Sequence, residues 1–123
     1  MKLFCINNQN KLINKNLQKR FKVIVESGKF ILGKNVIKIE NQLKKQVKSK
    51  HCITTSSGTD ALLISLMAIG IKNGDEVIVT SQSHISTAHS ISLTGAKPIF
   101  IDCEIETLQI DIKRIEEKII DAP

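Results

Sequence analysis

The sequence predicts an α/β fold with a mostly parallel sheet and helices at its N-terminal end. Apolar residues recur with helical periodicity through residues 1–50, whereas short β-branched runs alternate with helical segments over residues 51–123. Because alternating strands and helices form parallel sheets through right-handed crossovers, we expect the order β-α-β-α-β-α in the second part. The 123 residues, 41% of them hydrophobic, suffice for one domain with a modest core.

Two amphipathic helices are predicted in the first 50 residues. The first has apolar residues at steps of three and four positions, namely Leu12, Ile13, Leu17, Phe21, Ile24 and Val25. The second carries one apolar stripe, made of Val36, Ile39, Leu43 and Val47. Each helix therefore has a single face to bury, and we expect both to lie on the outside of a larger body.

Three strands and three helices are predicted after residue 50. The strands fall at 52–55, 76–80 and 97–102. The helices cover 61–69, 86–93 and a segment that Asp111 can cap. Apolar residues point in nearly every direction of the 61–69 helix, so we expect it to be buried on more than one side. The strand at 52–55 is likewise expected to be buried.

The net charge of +6 is unevenly distributed. Residues 1–50 contain 13 Lys or Arg against two acidic residues, while residues 51–123 contain 5 basic and 10 acidic residues. A basic surface of this kind could bind nucleic acid. The basic residues are nearly all lysines, however, and aromatic residues that could stack on bases are scarce, with no Trp or Tyr in the chain. We therefore favour solvated helix faces over nucleic-acid binding.

Cysteines and hydropathy indicate where the protein works. Cys5, Cys52 and Cys103 are odd in number and lack C-x-x-C spacing, which is typical of reduced, buried thiols and not of disulfides or a zinc site. No apolar run approaches the roughly 18 residues of a membrane span. The N-terminus turns polar too soon for a signal peptide. These features predict a cytoplasmic protein.

The junction Ser56-Ser57-Gly58-Thr59-Asp60 is the most informative motif. Backbone N–H groups at such a strand-to-helix turn can bind an anion, and Gly58 lets a phosphate approach the main chain. Ser57 and Asp60 also fit an S-x-x-D capping pattern, which needs no ligand. The pattern alone leaves both interpretations open. The loop 81–87 follows the next strand, so both segments could face one ligand at the carboxyl ends of the strands.

A longer pattern connects these motifs. It comprises Gly33 to Glu40, Ser57-Gly58-Thr59-Asp60-Ala61-Leu62, Gly74-Asp75-Glu76-Val77-Ile78, Gly95-Ala96-Lys97-Pro98 with Phe100 and Asp102, and Thr107-Leu108 with Ile110 and Asp111. In order and spacing it closely resembles the start of the DegT/DnrJ/EryC1/StrS family of pyridoxal-phosphate-dependent sugar aminotransferases. The resemblance covers about 80 residues, from Phe30 to Asp111, and is loose before residue 30.

The resemblance implies a fold and a cofactor site. The fold is part of the three-layer sandwich of the fold type I large domain, with residues 1–50 as a basic helical lead-in and 51–123 as the cofactor-phosphate region. Gly58 and Thr59 would hold the phosphate of pyridoxal 5'-phosphate, with Ser57 as a weaker candidate. His84 occupies the position of the aromatic residue that stacks on the pyridine ring in the family. An imidazole can stack, although a loop histidine with a surface hydrogen bond is the ordinary alternative.

The resemblance also implies that this chain corresponds to about the first third of a family member. The lysine that forms a Schiff base with the cofactor lies further along in the family, so we expect no catalytic residue among the 123 and no activity of the chain alone. The parent enzyme would be a homodimer that moves an amino group from an amino acid such as glutamate to a nucleotide-linked keto-sugar. Dehydratases of the same family, in which that lysine is replaced, are the other chemistry.

Two other functions are open at this stage. The chain could be a phosphate-binding or regulatory module that docks on a full-length relative. The other, and the least favoured of all, is a nucleic-acid-binding protein that uses residues 1–50.

Overall fold

The described residues form two compact units. The computed structural model describes residues 7–120, with the first unit ending at Thr54 and the second beginning at Thr55.

The first unit contains two helices, α1 (Asn7–Ser27) and α2 (Lys34–Gln46), which confirms both predicted amphipathic segments. The end of α1 is closed by the Ser27 hydroxyl, which donates to the Ile24 carbonyl at 2.8 Å. Large apolar side chains of the predicted stripes are exposed on both helices, for example Phe21 of α1 and Ile39 of α2, so the face that each helix was expected to bury is largely uncovered among the described residues. Although α1 has 21 residues, interleaved lysines break its apolar face. Neither it nor another helix within residues 7–120 combines the length and hydrophobicity that crossing a bilayer requires.

The predicted buried strand at 52–55 is wrong for this structure. Residues 51–55 belong to no helix or strand, and the Ile53 side chain is 78% exposed. A strand needs a neighbour that pairs with its N–H and C=O groups, and no described residue provides one here. Instead, the Glu40 carboxylate accepts hydrogen bonds from the Thr54 amide and hydroxyl, both at 2.9 Å.

Apart from the absent strand at 52–55, the second unit has the alternating order that the sequence predicts. Its elements are α3 (Gly58–Ala68), β1 (Glu76–Thr80), α4 (Ile85–Leu93), β2 (Lys97–Ile101) and α5 (Ile112–Ile120). The strands β1 and β2 are parallel, with Glu76 opposite Lys97 and Thr80 opposite Ile101. An ion pair of 2.9 Å between Lys97 Nζ and Glu76 Oε1 lies at the start of this register. The predicted α/β fold with a parallel sheet is confirmed.

A small core joins the sheet to α4. Val79, Ile91 and Ala96 are buried together, and Leu66, Ile71 and Val77 pack around them. Val79 comes from β1 and Ile91 from α4. The apolar face of α4 thus covers the sheet, as in other α/β folds. This packing fixes where the loop between β1 and α4 lies.

The expectation that α3 is buried on more than one side is wrong for this structure. No residue of α3 is fully buried, and Leu62 and Met67 are 41% and 61% exposed. Only α4 packs extensively against α3 in the described part of the chain. One neighbouring helix can cover one face of a cylinder, so the apolar residues on the other faces of α3 stay in contact with solvent.

Candidate functional site

The N-terminus of α3 is capped by Ser57. The backbone of Ser57 is extended, and its Oγ accepts a hydrogen bond of 3.1 Å from the Asp60 amide. The same hydroxyl donates to Asp60 Oδ2 at 2.8 Å. The S-x-x-D capping pattern is therefore confirmed. Because the Ser57 oxygen already has these two partners, it is a weaker ligand for an anion than the groups that follow it.

Asp60 is held in its ionised form by two hydroxyls. The Ser56 and Ser57 hydroxyls both donate to Asp60 Oδ2, and these hydrogen bonds lower the pKa of the carboxyl from its ordinary value. A slight desolvation acts in the opposite direction and is the smaller effect. The resulting carboxylate lies in the first turn of α3, where the helix dipole favours negative charge.

The amides of Gly58 and Thr59 have no hydrogen-bond partner among residues 7–120. No described residue accepts a hydrogen bond from either N–H, nor does one bond the Thr59 hydroxyl. The first N–H groups of a helix have no intrahelical acceptor. A Cβ built on Gly58 would meet no heavy atom within 4 Å, so the main chain here borders open space. Two free donors, a free hydroxyl and room beside the glycine fit a phosphate group.

His84 caps the neighbouring helix, α4. Its Nδ1 accepts a hydrogen bond of 3.2 Å from the Ser86 amide and lies 2.7 Å from the Ser86 hydroxyl. A neutral imidazole that accepts at Nδ1 carries its proton on Nε2. The side chain is exposed. The local hydrogen bond predicted as the ordinary alternative thus exists, while stacking on a ring stays a prediction.

A cavity of about 240 Å³ lies beside His84, where β1 ends. Its lining consists of Val79, Thr80, Ser81, Ser83, His84, Ile85, Thr87, Ala88 and Phe100. Four of these residues carry hydroxyls, and those of Ser83 and Thr87 are hydrogen-bonded to each other at 2.9 Å. The run Thr80-Ser81-Gln82-Ser83 directly after a strand is the sequence signal that could have identified this lining. No α3 residue contributes to it, so the cavity does not include the amides of Gly58 and Thr59.

Polar side chains also meet beyond the strand ends. Thr80 Oγ1 lies 2.8 Å from Cys103 Sγ, and Asp102 accepts from the Cys103 amide at 3.0 Å. Cys52 and Cys103 are free and half-buried, and Cys5 lies outside the described residues. Sequence reasoning missed the contact between Thr80 and Cys103.

A buried serine connects the first turn of α3 with the first turn of α4, the two places predicted to face one ligand. Ser90 of α4 is fully buried, and its hydroxyl lies 2.7 Å from the Ser86 carbonyl and 3.2 Å from the Thr59 carbonyl. The helix that begins after His84 is thus tied to the first turn of α3. Nothing in the sequence pattern singled out Ser90, because a serine inside a helical segment gives no sign of a tertiary partner.

Comparisons with known proteins agree on one family. The model of the DegT/DnrJ/EryC1/StrS aminotransferase family matches residues 11–122. A UDP-2-acetamido-2-deoxy-3-oxo-D-glucuronate aminotransferase from Pseudomonas aeruginosa is 35% identical over 93% of this chain and 32% of its own length. A dTDP-3-amino-3,6-dideoxy-alpha-D-galactopyranose transaminase from Aneurinibacillus thermoaerophilus is 38% identical over 89% of this chain and 30% of its own.

Solved structures give the same result. A DegT DnrJ EryC1 StrS aminotransferase from Brucella abortus superposes with a TM-score of 0.86 and 31% identity, covering 94% of this chain and 31% of that one. The Escherichia coli GDP-4-keto-6-deoxy-D-mannose-3-dehydratase with bound hydrated PLP superposes with a TM-score of 0.74 and 32% identity. This match covers 85% of the present chain and 28% of the dehydratase chain. These matches confirm the predicted resemblance. The chain spans less than a third of the length of each of these four proteins.

Proposed function

Because this chain belongs to the DegT/DnrJ/EryC1/StrS aminotransferase family, we propose that it carries the phosphate-binding part of a pyridoxal-phosphate site. We further propose that both units belong to the large domain of such an enzyme, with residues 1–50 as its helical lead-in. When bound, pyridoxal phosphate supplies the electron sink that amino-group transfer requires.

Three residues would hold the cofactor and a fourth would assist. The Gly58 and Thr59 amides donate to the phosphate oxygens, and the Thr59 hydroxyl adds a further donor. The His84 ring stacks on the pyridine ring, with its orientation fixed by the hydrogen bond from the Ser86 amide. Ser57 contributes mainly by capping α3, which keeps the amides aligned. Metal binding plays no part in this proposal.

The observation that carries the proposal is the pair of unused amides beside open space. A helix N-terminus that served only as a cap would need its Ser57 and Asp60 bonds, and these are present. Capping does not require that Gly58 be a glycine, since a Cβ there would meet nothing within 4 Å. A phosphate that approaches the main chain closely would explain why residue 58 is a glycine.

The parent enzyme would act on a nucleotide-linked keto-sugar. The amino group would come from an amino acid such as glutamate, and the enzyme would work as a homodimer. We propose that the 123 residues alone would bind without turnover, since the resemblance implies that the family's Schiff-base lysine lies further along the enzyme. Family dehydratases lack that lysine altogether, so the phosphate site would be common to both chemistries.

Calorimetric titration of the 123-residue chain with pyridoxamine 5'-phosphate tests the site. The amine form is the suitable probe, since the aldehyde of pyridoxal phosphate reacts with exposed lysines anywhere on a chain. We expect Gly58→Ala to weaken binding at least about tenfold, because its Cβ occupies the space that the phosphate enters. Thr59→Val, which removes only the hydroxyl, should weaken binding about threefold to tenfold.

Gly70→Ala is the control for a loss of stability that leaves the N-terminus of α3 unchanged, because alanine is strained at the Gly70 φ of +89°. Gly70 follows α3 and also borders open space, so its Cβ blocks nothing at the N-terminus. Equal affinities of the wild type, Gly58→Ala and Gly70→Ala would refute the proposed site. Loss of affinity in Gly58→Ala together with loss of helicity would instead indicate damage to the fold, and circular dichroism separates the two.

A further inference from the structure

Ser90 has the most buried polar side chain in the described part of the chain. It is 0% exposed and lies in α4, six residues after His84. A serine hydroxyl has one proton, yet two carbonyl oxygens lie within hydrogen-bond distance, Ser86 O at 2.7 Å and Thr59 O at 3.2 Å. The proton is therefore shared between a bond within α4 and a bond to α3.

The bond within α4 has an ordinary explanation. Serines in helices often donate to the carbonyl four residues earlier, and Ser92 does so with Ala88 at 3.2 Å. Such a bond needs neither burial nor a second helix. The contact with Thr59 is the additional feature, since it spans 31 residues and reaches the turn that presents the free amides.

We propose that Ser90 is a positioning residue that holds the α3 turn and the His84 ring at one fixed separation. The connection runs from the Thr59 carbonyl to the Ser90 hydroxyl, on to the Ser86 carbonyl, and from the Ser86 amide to His84 Nδ1. The inference rests on the proposed function, because it concerns a ligand that touches both ends of this path. A ligand of that kind binds more tightly when the separation is set before binding.

Two probes distinguish positioning from general support. Pyridoxamine phosphate would contact both the amides of Gly58 and Thr59 and the His84 ring, whereas inorganic phosphate would contact only the amides. We expect Ser90→Ala to weaken pyridoxamine phosphate binding about threefold to tenfold and to leave inorganic phosphate binding unchanged. Alanine suits a helix interior, so the variant should keep α4 intact. Ser92→Ala is the matched control and should change neither affinity.

A double-mutant cycle sharpens the test. In a His84→Ala background the ring contact is already lost, so Ser90→Ala should cause no further loss of pyridoxamine phosphate affinity. Amide hydrogen exchange supplies a readout without ligand. The Asp60 and Ala61 amides, which bond Ser57, should exchange faster in Ser90→Ala than in Ser92→Ala.

Each outcome decides the matter. An equal loss for both probes, or unchanged exchange at Asp60 and Ala61, would overturn the positioning role while leaving the proposed phosphate site intact. A wild-type chain that binds neither probe would refute the proposed function, and the positioning role with it. The split between the probes, together with faster exchange, supports both.

Discussion

Two adjacent serines donate to the same carboxylate, but only one of them caps a helix. Ser57 Oγ accepts from the Asp60 amide, whereas Ser56 reaches only the Asp60 side chain. We therefore expect Ser57→Ala to lower the free energy of unfolding by about 1 kcal/mol, as for other N-cap serines. Urea unfolding followed by circular dichroism measures the difference.

Ser56→Ala is the control for that prediction. It removes one hydrogen bond to Asp60 and leaves the bond to the α3 amide in place, so its effect should be smaller. Equal losses for Ser56→Ala and Ser57→Ala would mean that the cap contributes nothing beyond the two hydroxyl contacts.

Asp60 should make stability depend on pH in the acid range. Its pKa in the folded chain is lowered by the Ser56 and Ser57 hydroxyls, so the unfolded chain takes up a proton more readily. The stabilising contribution is fully present above the unfolded pKa of about 4 and is lost as the pH falls through the lower folded pKa. Asp60→Asn should flatten the pH dependence of the unfolding midpoint in that window. Parallel curves for the two proteins would contradict this.

Local sequence predicts residue roles only where the partners are local. The bonds between Ser57 and Asp60 join residues three apart, and the S-x-x-D pattern predicted them. The cap formed by His84 is equally local but uses a residue type that rarely caps helices, so it was not singled out. Ser90 bonds across 31 residues, and its partner depends on the packing of α3 against α4.

At the scale of elements, the turn before β2 depends on Gly95. Its φ of +85° is in the left-handed region, and a Cβ there would lie 3.2 Å from the Asn73 Cβ. We expect Gly95→Ala to lower the free energy of unfolding by roughly 1–2 kcal/mol through left-handed backbone strain. The displacement of Asn73 should lower it further. Chemical denaturation provides the measurement.

Gly70→Ala separates these two contributions. Gly70 has a φ of +89° but no heavy atom within 4 Å of a built Cβ. Gly70→Ala therefore introduces the backbone strain without a steric contact, and it should lower the free energy of unfolding less than Gly95→Ala does. A larger loss for Gly70→Ala would contradict the role assigned to Asn73.

Every predicted helix is present among the described residues, whereas one of the three predicted strands is not, and this difference has a physical reason. The pattern of α2 reflects hydrogen bonds that the segment makes with itself, so the sequence is enough. The β-like run at 52–55 has strand propensity, but a strand exists only beside a partner. Among the described residues β1 and β2 pair with each other, and residues 52–55 pair with neither.

At the scale of the whole chain, burial is limited. Only Val79, Ile91, Ala96 and Ile101 are buried apolar residues among those that the structure describes. The sequence predicted the alternation of elements and the family, since both are carried by the order of motifs along the chain. It did not predict how little of α3 would be covered. The apolar pattern of a helix indicates which of its faces can be buried. Whether they are buried depends on the elements that pack against the helix.

Amide chemical-shift mapping tests the central claim most directly. The isotope-labelled chain would be titrated with inorganic phosphate and then with pyridoxamine 5'-phosphate. We predict that the Gly58 and Thr59 amides shift most with both probes, and that the His84 ring shifts only with the second. Unmoved Gly58 and Thr59 amides, with shifts confined to the lysine-rich helices α1 and α2, would contradict the phosphate site.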